Sequence, residues 1–70
     1  MGREILKKAR KEKGLTQKYV AKYLNMELSS YKAIEGGWRT GYVEMWDKLE
    51  DLFNIHQRQL RLISDQEGNP

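Results

Sequence analysis

The sequence predicts an all-α protein, a compact bundle of about five short helices in which two are joined by a tight turn. Three observations predict it. Apolar residues between Gln17 and Glu35 recur at helical spacing on either side of Asn25, a residue suited to a tight turn. From Tyr42 to Phe53 a stronger periodic pattern puts Tyr42, Trp46, Leu49 and Phe53 on one face. Cysteine is absent from the 70 residues, so packed helices, not disulfides or a cysteine zinc site, must hold the fold.

The first helix is read over residues 3–12, REILKKARKE. Leu6 and Ala9 share a face, Met1 and Ile5 flank it, and Gly14 suits the end of the helix. Thr16 can cap the second helix, because its hydroxyl accepts a bond from the exposed amides of the first turn. Val20 and Leu24 lie one turn apart on that helix, and Asn25 tolerates the left-handed backbone that follows. Tyr31 and Ile34 share a face of the third helix, read from Glu27 to Glu35. Ala21 falls where these two helices cross, and only a small side chain lets their backbones approach there. The unit is a helix-turn-helix, whose second helix is the one that usually enters a DNA groove.

Gly36 and Gly37 close the third helix. In the fourth helix Met45 and Leu52 lie beside the apolar face, and Glu44 and Lys48 are favourably spaced by four. Asp47, Glu50 and Asp51 make its outer face acidic, which directs that face away from a polyanion. Asn54 and Ile55 read as a turn. A fifth helix, about His56 to Ile63, puts Leu60 and Ile63 on one side. SDQEGNP, residues 64–70, reads as a flexible tail and leaves residues 1–63 as one domain.

Charge is unevenly distributed. Residues 1–41 hold ten basic and four acidic side chains, whereas residues 42–70 hold three and six. The basic half carries the helix-turn-helix, and a basic half facing a polyanion is the footprint of nucleic-acid binding. One histidine and no cysteine leave few general bases or nucleophiles, and the sequence shows neither a phosphate-cradling glycine loop nor a metal-ligand cluster. The expectation is therefore a non-enzyme without cofactor or metal. No apolar run approaches the roughly 20 residues of a membrane span, and no secretory signal opens the chain. A cytoplasmic protein with no membrane partner is expected.

GLTQKYVAKYL, a turn, then SSYKAIEGG, together resemble the Cro and phage-repressor class of DNA-binding domains, the XRE-like helix-turn-helix family. The resemblance covers roughly residues 3–62 and implies a lambda-repressor-like bundle binding double-stranded DNA. The outward face of the third helix, Leu28, Ser29, Lys32 and Ala33, should then meet base edges. Lys32 can donate to guanine O6 or N7, Ser29 can bond a base or a phosphate, and Leu28 and Ala33 offer apolar contact to a thymine methyl. Lys18 and Lys22, one turn apart and outward, can reach phosphates. The resemblance adds Gln17 and Arg39 as phosphate contacts, and an ion pair between Arg10 and Glu35. It further implies a phage or mobile-element repressor working as a homodimer, the last helix contributing to the contact.

Glu27 and Leu28 depart from the family pattern. Glu27 stands where Ser or Thr is the usual cap and opposes a nearby phosphate. Leu28 is a large apolar group at the leading base-contact position. These two motivate an alternative, an antirepressor or adaptor that uses the same fold to hold a regulatory protein partner. Glycine at position 41 replaces the usual proline. Trp38 has three readings: on the core, against a second subunit, or on the sugar-phosphate surface.

Overall fold

A computed structural model describes residues 2–63; the tail expected over 64–70, and Met1 beside the first helix, lie outside the described residues. Five helices follow one another: α1 (Glu4–Glu12), α2 (Gln17–Tyr23), α3 (Leu28–Gly36), α4 (Val43–Phe53) and α5 (Gln57–Leu60). Every helix contributes to one core. Leu6, Val20, Tyr31, Trp46, Leu49 and Leu60 are all fully buried there, and burying such side chains contributes about 1.5–3 kcal/mol each.

The first three helices end in the same way. Gly14, Asn25 and Gly37 each have positive φ, at 71°, 59° and 91°. The next amide in each case reaches back five residues: Leu15 to the carbonyl of Arg10 at 3.1 Å, Met26 to Ala21 at 2.9 Å and Trp38 to Ala33 at 2.8 Å. This paired closure satisfies carbonyls that a helix end otherwise leaves open. It turns the chain sharply between α2 and α3, so the helix-turn-helix needs only a few residues of connection. At the start of α2 the Thr16 hydroxyl accepts from the Tyr19 amide at 3.0 Å.

The structure departs from the sequence expectation at two places, and it decides against one of the three readings of Trp38. Tyr42, expected on the buried face of α4, is 51% exposed. Its backbone is extended (φ −142°, ψ 163°), one residue before the helix, so its side chain leaves the helical face and Met45 takes the core position. The last helix stops at Leu60. Leu60 alone closes the core, while Leu62 and Ile63 are 48% and 45% exposed, so a longer helix would bury little more. Trp38 is not in the core: it is 80% exposed. The absence of proline at position 41 has a physical reason. Gly41 has φ +81°, which proline cannot adopt, and a Cβ there would come within 2.9 Å of the Trp46 indole nitrogen.

Candidate nucleic-acid interface

One carboxylate fixes the attitude of α3. Glu35, in its last turn, is 1% exposed. Arg10 of α1 donates to it twice, Nε to Oε2 at 2.7 Å and Nη2 to Oε1 at 3.2 Å. Gln17 of α2 donates Nε2 to Oε1 at 2.9 Å, and the Tyr31 hydroxyl donates to Oε2 at 2.7 Å. Three helices therefore converge on a single charged group. Burial opposes its ionisation, yet the bonds from Arg10, Tyr31 and Gln17 outweigh burial and hold its pKa below the ordinary value. The bond to Glu35 outweighs burial at Arg10 and raises its pKa. Burial, then the bond to Glu35, pushes the Tyr31 phenol well above its usual range.

With that side of α3 locked, its other side faces out. Ser29 and Lys32 are exposed, and Leu28 and Ala33 are half-buried. Two cavities flank the helix. Lys18, Lys22 and Leu28 line one, together with Asn25, Met26 and Glu27 of the turn. Gln17 and Lys32 line the other, with Lys7, Glu35, Gly36 and Trp38. Leu28 and Lys32 are one turn apart on α3, so Lys18 and Lys22 adjoin the head of the helix and Gln17 its later turns, while Ser29 and Ala33 line neither cavity. Gln17 uses one amide hydrogen on Glu35, and its NH₂ group has a second donor to offer. Arg39 lies in neither cavity; its Nη1 makes a long contact, 3.5 Å, to the Ser30 hydroxyl. Glu27 precedes α3 without a side-chain capping bond.

Arg3 is a residue that sequence reasoning missed. It is 5% exposed. Its Nη1 donates to the carbonyls of Ile34 and Arg39, the latter at 2.8 Å, and its Nε to the carbonyl of Arg61 at 3.0 Å. Its guanidinium also lies 5.2 Å from the Trp46 ring centroid, a cation–π distance. Burial, then repulsion from Arg61, lowers its pKa. Arg3 precedes α1 with non-helical backbone (φ −95°, ψ 83°), so helical spacing gives no signal of its burial. The acidic face of α4 also has an internal use, since Asp47 and Glu50 accept from Gln57 Nε2 at 2.7 and 3.0 Å and hold α5 in place.

Among the described residues no helix is long and apolar enough to cross a membrane. A family model described as helix-turn-helix, of the Cro and phage-repressor type, matches residues 6–60. No curated protein and no solved structure matches the chain.

Proposed function

The chain belongs to this helix-turn-helix family of DNA-binding regulators, and on that premise we propose that it is a sequence-specific transcriptional repressor of a phage or mobile element. In this reading α3 enters the major groove. Lys32 and Ser29 bond base edges, Leu28 and Ala33 make apolar contact, and Gln17, Lys18, Lys22 and Arg39 hold phosphates on either side. The observation that carries it is the Glu35 cluster. Three hydrogen bonds, two from Arg10 and one from Gln17, fix α3 on α1 and α2, and Tyr31 steadies the carboxylate from within α3, which leaves Ser29 and Lys32 outward on a rigid mount.

Two copies on a two-fold site would place two recognition helices about one turn of DNA apart. Leu60 is spent in the core, so the contact between copies falls to the exposed Leu62 and Ile63. A second reading, an adaptor that holds a regulatory protein through the Leu28 face, draws on Glu27, whose exposed charge at the head of α3 repels phosphate. Selection from a random duplex pool at two salt concentrations tests the first reading. Enrichment of a palindromic site, bound more weakly by Lys32→Ala, supports it. Weak unselective binding that vanishes at moderate salt leaves only a basic surface and favours the adaptor.

A further inference from the structure

Trp38 combines high exposure with a fixed seat. At 80% it is the most exposed of the large apolar side chains among the described residues, yet its backbone is pinned by the 2.8 Å bond to Ala33 that closes α3. Its ring lies over Gly36: a Cβ built at Gly36 would overlap the six-membered ring of the indole. Gly36 lies within α3, and no positive φ requires a glycine there. Glycine inside a helix costs about 1 kcal/mol relative to alanine. What Gly36 allows is the close approach of the Trp38 ring.

The surroundings of that ring indicate its occupant. Trp38 shares a cavity with Lys7, Gln17, Lys32 and the buried Glu35, whose charge Arg10 offsets; Lys7 also pairs with Glu4 at 3.6 Å, an exposed contact that a phosphate can replace. A DNA strand alternates anionic phosphates with apolar sugar faces, and this surface sets an indole beside two cations. The cavity is also continuous with the proposed base-reading face, since Lys32 belongs to both. We propose that Trp38, braced on Gly36, packs against a deoxyribose of the strand flanking the α3 groove, while Lys7 and Gln17 engage an adjacent phosphate. The inference rests on the DNA-binding reading above and adds to it a contact that is apolar and independent of base sequence.

The test is equilibrium binding of full-length protein to the duplex selected by the parent, across a salt series. Trp38→Ala is expected to weaken binding about tenfold with the salt slope unchanged, because no counterion-releasing contact is lost. Lys7→Ala is expected to reduce the slope by about one. Gly36→Ala should weaken binding by displacing the ring, and the same change made on Trp38→Ala should have no further effect. Tryptophan emission should shift on binding in the parent and not in Trp38→Ala, because Trp46 is buried in the core. Parent-like affinity of Trp38→Ala at every salt concentration overturns the inference while leaving the DNA-binding reading intact. A parent that selects no duplex removes both.

Discussion

The guanidinium of Arg3 donates to the main-chain carbonyl of Arg39 at 2.8 Å, across 36 residues of sequence. The same group holds the carbonyl of Ile34 near the end of α3 and, through Nε, that of Arg61 after α5. The first residues of the chain thereby fasten the loop that carries Arg39 and the segment that ends the bundle. Arg3→Ala takes a donor from three carbonyls, of which that of Ile34 keeps the Gly37 amide at 3.2 Å, and removes a cation from the face of Trp46. It should destabilise the fold by about 2–3 kcal/mol in urea unfolding. Arg3→Lys should recover only part of this, since an ammonium lacks the planar fork that reaches carbonyls on separate segments. A Lys variant as stable as the parent would show that charge alone is enough.

The pair formed by Arg10 and Glu35 is mostly buried, with side-chain exposures of 10% and 1%. Removing either partner leaves the other charge uncompensated. Arg10→Ala and Glu35→Ala should each cost about 3–5 kcal/mol. The double variant should cost clearly less than the sum of the two, because no stranded charge remains. Additive losses in chemical denaturation would mean that the two side chains act independently.

The same cluster sets the pH dependence of stability. The folded pKa of Glu35 lies below its ordinary value of 4.5, so between the two the unfolded chain binds more protons. Its contribution is present above pH 4.5 and is lost as pH falls through the lower folded value. The folded pKa of Tyr31 lies above its ordinary value of 10.0, so its contribution is present below pH 10 and is lost as pH rises through the higher folded value. Melting temperature should therefore form a plateau between these limits. Tyr31→Phe should lessen the alkaline loss, and an alkaline limb unchanged in that variant would contradict the assignment.

Much of the fold was legible because its signals are local and periodic. Val20, Leu24, Tyr31 and Ile34 recur at helical spacing, and Gly14 and Asn25 occupy the positive-φ positions that end α1 and α2. Thr16 caps α2 for a reason visible in its side chain. Boundaries were less legible. Starting α4 one residue later than the pattern suggested was enough to move Tyr42 from the core to the surface. Long-range polar packing was the least legible. Arg3 reads as a solvated charge until the carbonyls of Ile34, Arg39 and Arg61 are seen around it. Trp38 could not be placed from spacing, because its position follows from the helix closure at Gly37 rather than from any helical face. The residues proposed to meet DNA follow from helical position and family resemblance; the structure adds that Lys18 and Lys22 adjoin Leu28 and that Gln17 adjoins Lys32.

The central claim is that α3 presents its outer face to the major groove. The most direct measurement is a titration of nitrogen-15-labelled protein with the selected duplex, followed through its backbone amide resonances. The account predicts that the largest shifts fall on residues 28–33, with Gln17, Trp38 and Arg39 beside them, while Asp47, Glu50 and Asp51 on the acidic face of α4 stay where they were. Shifts concentrated on α4 or α5, with residues 28–33 unmoved, would contradict it.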